Sequence, residues 1–277
     1  MTSSASNSTS HLEPLTADLV VDAVHELRTQ EPLVHCLTNV VAAGFTANAL
    51  LAAGAAPAMA DAVDDADVLA RGSGAVLVNL GTVTKESFEG MRAAVAAVGD
   101  SGGRWVLDPV AAGALPWRAT LAEELLDLSA PTVIRGNPSE VLALTGHLGG
   151  RGVDSSAAPD DALEAAGALA EKHAAVVAVS GTVDLVTDGE RVVRVSNGHA
   201  LMTKVTGVGC ALGALVAGFG AVVDDPLVAA VAATVLMTLA GEAAADRADQ
   251  PGSFAVAILD ELGAMDADRI RADARLS

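Results

Sequence analysis

The sequence predicts an α/β protein with a mainly parallel central sheet, helices on both faces and an antiparallel hairpin near one edge. Three observations carry this. Short β-rich runs alternate with helical runs along most of the chain, the pattern of crossovers that lay helices over a parallel sheet. "GAVLVNLG", residues 74–81, is a continuous apolar run bounded by glycines, as a strand buried on both faces requires. "DLVTDGERVVRV", residues 184–195, sets two β-rich runs around Asp188-Gly189, a hairpin signal.

The elements follow in order. Residues 16–29 carry helical spacing, and "LVHCLT" (33–38) is a short strand. Residues 40–54 form an apolar helix that ends at Gly54, a C-terminal glycine stop. "AMA" leads into "DAVDDADVLARG", and the strand of 74–81 follows. Residues 84–100 are an amphipathic helix, and "RWVLDP" (104–109) is another strand. "WRATLAEELLDL" is a helix, "TVIRG" a strand, "PSEVLALTG" a helix, "PDDALEAAGALAEKH" a helix and "AAVVAVSG" a strand. After the hairpin, Ala-rich helices fill 208–222 and 225–248, and a last helix starts near Ser253. No internal repeat is visible. Residues 1–14 read as a disordered polar tail and 15–277 as a single domain.

Composition narrows the function. The 277 residues are 51% hydrophobic but only 2% aromatic, so Ala, Val, Leu and Gly must fill the core. The net charge is −19 and no Lys/Arg cluster occurs, which argues against a nucleic-acid surface. Any anionic ligand must be held by a few placed cations, backbone amides or a metal. Cys36 and Cys210 have neither metal nor disulfide spacing, and a reducing, cytoplasmic setting fits them. The N-terminus lacks the basic and apolar regions of a secretory signal. "CALGALVAGFGAVV" is short for the roughly 20 residues of a membrane span.

In a parallel sheet, ligands bind beyond the carboxyl ends of the strands. Four such places stand out. Asp108 of "LDPV" is either a carboxylate aimed into that crevice or a turn residue before proline. In "IRGNPSE", Asn137, Pro138 and Glu140 match a helix start, and Glu140 reads equally as a capping-box partner or as support for a metal. Arg135 stands at a strand end in an acidic chain and suits a phosphate. Ser180-Gly181 follows a strand, where hydroxyl and backbone meet either a ligand or an ordinary turn. Gly207 and Gly209 open a long helix whose free N–H groups make an anion site, although neither a Walker loop nor a dinucleotide fingerprint is present. Cys210 lies in that first turn, where a helix N-terminus lowers a thiol pKa; the alternative is a small buried filler. Metal-capable carboxylates, one cation and an anion-binding helix start at one sheet edge are the equipment of phosphoryl transfer.

"PLVHCLTNVVAAGFTANALLAAGAAPAMAD", "NLGTVTKESFEGMRAAV", "LDPVAAGA", "IRGNPSE", "LMTKVTGVGCALGALV" and "PGSF" resemble, in that order, the hydroxyethylthiazole kinases of the ribokinase-like group. The resemblance spans about residues 30 to 255. It implies a ribokinase-like fold and ATP- and Mg²⁺-dependent phosphorylation of the primary hydroxyl of 4-methyl-5-(2-hydroxyethyl)thiazole, in thiamine biosynthesis or salvage. By position it implies that Asn39, Met59 and Gly207 meet the thiazole, Arg135 and Ser180 bind ATP, and Asp108 and Glu140 help hold Mg²⁺. It puts Cys210 where related sugar kinases carry an Asp base. It further implies a homotrimer with the alcohol site at a subunit boundary. Ser180 departs from the family's usual Thr but keeps the hydroxyl. The absence of Asp, Glu, Lys and Arg from Pro32 to Ala60 suits a small neutral ring better than a sugar.

Overall fold

The computed structural model describes residues 15–146 and 159–277; the expected N-terminal tail lies outside them. Eight strands join one sheet: β1 (Leu33–Leu37), β2 (Ala56–Ala58), β3 (Ala75–Asn79), β4 (Trp105–Asp108), β5 (Val133–Gly136), β6 (Val176–Val179), β7 (Asp184–Thr187) and β8 (Val192–Val195). Their order is β2-β1-β3-β4-β5-β6-β7-β8. The first six are parallel, and β7 and β8 add as the antiparallel hairpin at the edge. The chain runs from β1 outward to β2 and then returns to β3 on the other side of β1. The switch point therefore falls between β1 and β3, where a crevice opens at the carboxyl ends.

Strand alternation divides the core. Leu77, Val106, Val133 and Ala178 point to one face and pack under α1 (Ala17–Gln30), α2 (Ala43–Ala53), α8 (Val208–Val222), α9 (Pro226–Ala245) and α10 (Pro251–Ala264). Val76, Val78, Leu107, Ile134 and Val177 point to the other, under α3 (Val63–Gly72), α4 (Lys85–Ser101), α5 (Pro116–Leu128), α6 (Pro138–Leu144) and α7 (Leu163–His173). A short α11 (Ala267–Asp273) follows α10. With few aromatic rings, the first face is filled by alanines of α8 and α9, which let the helices sit close to the sheet. α9 is long and apolar enough to cross a bilayer, but its apolar window is 89% buried in the protein.

Several elements differ from the sequence expectation. The helix expected from residue 40 begins at Ala43, because the Asn39 side chain closes a turn by accepting the Ala42 N–H at 2.9 Å. β2 is only "APA" and its Pro57 is tolerated on an edge strand, which hid it from pattern reading. The helix expected over 225–248 stops at Ala245, the helix expected near Ser253 starts at Pro251, and it is not the last, because α11 follows it.

Candidate active site

Side chains two residues on from the inward apolar set share its face. Asn79, Asp108, Arg135 and Ser180 stand two beyond Leu77, Val106, Val133 and Ala178, so all four turn toward α8. With Asn39, just past β1, they form one row along the carboxyl edge. Asn39 Nδ2 donates to Asn79 Oδ1 at 3.0 Å, and Asn79 Nδ2 donates to Asp108 Oδ2 at 2.7 Å. Arg135 Nη1 lies 3.6 Å from Asp108 Oδ2, and its Nη2 donates to Ser180 Oγ at 2.8 Å. The row thus crosses β1, β3, β4, β5 and β6 in sheet order. Asn39 also donates to Cys210 Sγ at 3.1 Å, which ties the start of α8 to the row across the switch point.

Glycines permit that approach. Gly207, at φ 95°, ends the preceding loop in a conformation that costs other residues, and a Cβ there would press on Ala42 and Phe45 at 3.3 and 3.4 Å. A Cβ at Gly213, one turn beyond Gly209, would lie 3.3 Å from Asp108 Oδ2. The start of α8 has no side-chain cap, so its first N–H groups stay available to an anion.

Charge follows burial. Asp108 has no exposed surface, and burial pushes its carboxyl up to about 7 against the pull of Arg135. Its Oδ1 is buried without a partner. Glu140 does cap α6: its Oε2 accepts the Asn137 N–H and the Asn137 side chain accepts the Glu140 N–H, while its Oε1 accepts the N–H of Ala111, a residue at φ 62°. Each of its oxygens keeps a second lone pair. The expected lowering of the Cys210 thiol is not found. Burial and the nearby Asp108 charge push it above its ordinary value, and the donor hydrogen bonds and Arg135 oppose them without winning. A helix start does not overcome desolvation beside a carboxylate.

Among the described residues, no group of three or more His, Cys, Asp or Glu side chains is gathered as in an all-protein metal centre. Asp108 and Glu140 nevertheless fit Mg²⁺, which takes one or two carboxylates and completes its shell with substrate phosphates and water. The orphaned Oδ1 of Asp108 is the acceptor such an ion would satisfy.

A cavity of about 570 Å³ opens beside the row, lined by Arg135, Ser180, Asp184 and Gly209 and by the loop holding Asn197 and His199. Asp184, which the sequence did not single out, accepts the Gly181 N–H at 2.8 Å; burial raises its carboxyl to about 6. A smaller polar cavity of about 80 Å³ lies on the other side of Asn39 and Asn79, with Thr38 and Thr82 in its wall. Asn79 was also missed. The signal was present: one amide at the carboxyl end of an otherwise apolar strand. Met59, expected in the site, follows β2 on the same sheet edge but is 38% exposed and lines neither cavity.

Comparison with known proteins adds four findings. Residues 24–268 match the family described as the hydroxyethylthiazole kinase family. The chain is 52% identical over 265 residues to a hydroxyethylthiazole kinase of Clavibacter sepedonicus, covering 95% of this chain and 94% of that one. It superposes on the structure of a hydroxyethylthiazole kinase from Pyrococcus horikoshii OT3 with a TM-score of 0.87 at 37% identity, over 94% of this chain and 98% of that one. A ribokinase-like superfamily protein of Enterococcus faecalis V583, 12% identical, shares the fold with a TM-score of 0.65 over 90% of this chain and 95% of that one.

Proposed function

The chain belongs to the hydroxyethylthiazole kinase family, and from that premise we propose how its residues transfer a phosphoryl group from ATP to the hydroxyl of hydroxyethylthiazole, a step of thiamine salvage. The observation that carries the reading is the unbroken row from Cys210 through Asn39, Asn79, Asp108 and Arg135 to Ser180. It joins the two ends that an in-line transfer needs, an acceptor side at the switch point and an anion side at Arg135 and the α8 start.

In this reading the nucleotide occupies the large cavity. Arg135 is preset by Ser180 and Asp108, so its guanidinium meets a phosphate with little ordering left to do. Bare backbone N–H groups of α8 face the developing charge. Asp108 and Glu140 would hold Mg²⁺, which neutralises charge on the phosphates when bound. Asn39 and Gly207 stand on the alcohol side, and Met59, exposed at the same sheet edge, would reach the alcohol only if the site is closed over it. Cys210 sits where the acceptor hydroxyl loses its proton. Its resting form is the thiol, so it orients that hydroxyl, and only its minor thiolate fraction takes the proton; a loose transition state asks little of a base.

Residues 15–277 act as one kinase domain in this reading, supported by the single sheet. The apolar side chains Val40, Val41, Leu51, Met59, Val63 and Val68, on and beside α2 and α3, stay exposed. That supports a homotrimer in which a second copy covers the site, which sedimentation would test. A cytoplasmic setting agrees with the ATP requirement and the free thiols.

The test is direct. Purified protein with saturating ATP and Mg²⁺ should convert hydroxyethylthiazole to its phosphate, identified by mass, and release ADP in equal amount. ADP release without a phosphorylated thiazole would overturn the substrate; no ADP release would overturn the kinase.

A further inference from the structure

We propose that Asn79 is a positioning residue for the phosphoryl transfer: it sets which oxygen of Asp108 is left for the reacting groups and, together with the Ala42 N–H, steadies the Asn39 amide as a donor to Cys210. The inference rests on the kinase reading above and deepens it.

Asn79 has no exposed surface and does not line the large cavity, so it is not placed to touch the nucleotide. Its hydrogen bonds leave it one orientation. Oδ1 faces two donors, Asn39 Nδ2 and the Gly81 N–H, each at 3.0 Å. That turns Nδ2 to Asp108 Oδ2. Asn39 is fixed in the same way. The Ala42 N–H claims its Oδ1, so its Nδ2 must serve both Asn79 and Cys210. Reversing the Asn79 amide would set donor against donor and acceptor against acceptor at every contact, each costing about 1–3 kcal/mol in a buried place.

Two consequences reach the site. Asp108 is anchored through Oδ2, so the unpartnered atom is always Oδ1. Cys210 Sγ is an acceptor from Asn39, so the thiol hydrogen has to point away from that amide. One buried amide thereby sets the presentation of the acidic group and helps hold that of the sulfur. The chain makes room for it: a Cβ at Gly81 would fall 2.6 Å from Asn39 Nδ2.

The experiment compares Asn79→Ala and Asn79→Asp with wild type, with melts confirming that each is folded. Asn79→Ala should lower kcat roughly 10- to 100-fold, the scale of a misplaced reacting group, with both KM values within about 3-fold. Asn79→Asp keeps the shape but presents a carboxylate oxygen to Asp108; it should be no more active than Asn79→Ala. A second readout needs no substrate. Iodoacetamide should alkylate Cys210 more slowly in Asn79→Ala, because Asn39 then keeps only its Ala42 anchor and donates to sulfur from a less fixed position. Buried Cys36 stays silent, and Cys210→Ala confirms the assignment. Alkylation at the wild-type rate, kcat within 2-fold of wild type, or an Asn79→Asp protein more active than Asn79→Ala would overturn the proposal and leave Asn79 as packing. A wild-type protein inert toward the thiazole would overturn the kinase reading instead, and the alkylation rates would still decide how Asn39 is held.

Discussion

A Cβ added at Gly209 would stand 3.2 Å from Nη1 of Arg135, so helix α8 meets that guanidinium with bare backbone. The contact joins two anion-binding devices, a fixed cation and a helix N-terminus, at one corner of the large cavity. Either alone is common; their contact is what, in the proposed reading, would hold a phosphate in a chain of net charge −19.

Gly209→Ala separates function from stability. Alanine is the better helix former by roughly 1 kcal/mol, so the melting temperature should hold or rise. The methyl pushes the guanidinium by tenths of an ångström and shields the N–H groups behind it. The KM for ATP should rise about 10-fold with the thiazole KM unchanged. Unchanged ATP kinetics would remove α8 from the phosphate site.

Burial pushes the Asp108 carboxyl up to about 7 and that of Asp184 up to about 6, from an ordinary 3.8. Both hold their protons more tightly folded than unfolded. Their contribution to stability is full below pH 3.8 and is lost as pH rises through 6 and then 7. Asp108→Asn carries no charge to bury. Without metal or nucleotide, it should melt above wild type at pH 8, by an amount on the order of a few kcal/mol. The difference should shrink toward pH 5. A gap that is flat across this range would mean that the carboxyl is not raised.

Glu242 on α9 holds the wall of the large cavity without lining it. Its oxygens accept the Gly198 N–H at 2.7 Å and Asn197 Nδ2 at 3.1 Å, and it pairs with Arg275, which also donates to the Ser196 carbonyl. Glu242→Ala should loosen residues 196–199 and raise the KM for ATP about 3- to 10-fold, since hydrogen bonds to a charged group contribute ~1.5–3 kcal/mol shared between stability and binding. The thiazole KM should not move. Equal rises in both KM values would point to general loosening.

How far the sequence foretold this depends on distance along the chain. Local signals were sufficient for strands and helices with strong periodicity, and the strand-end rule brought Asp108, Arg135, Ser180 and the Gly207–Cys210 turn to one edge. Asn137 and Glu140 proved to be the capping box that their spacing suggested. What escaped depends on partners far away. Asn79 meets Asn39 and Asp108 from 40 and 29 residues off, and Glu242 meets Asn197 from 45. The thiol shift was misjudged for the same reason. The helix start is visible in sequence, whereas the neighbouring Asp108 and the depth of burial are not.

Cys210→Ala is the sharpest test of the acceptor side. A covalent nucleophile would be indispensable, and its removal would abolish turnover. The structure argues against that role, because the thiol is raised rather than activated and Asn39 already occupies one side of the sulfur. An orienting group that takes the proton only as its minor thiolate should cost about 10²-fold or less, below the usual range for a tuned general base. Asp108→Ala should cost more. It removes the orphaned acceptor of the proposed metal site and frees the Arg135 guanidinium and the Asn79 amide at once. Steady-state turnover of both variants, with melts to confirm folding, gives the ranking. A modified Cys210 trapped during turnover would restore the covalent route, and wild-type turnover in Cys210→Ala would reduce the thiol to packing.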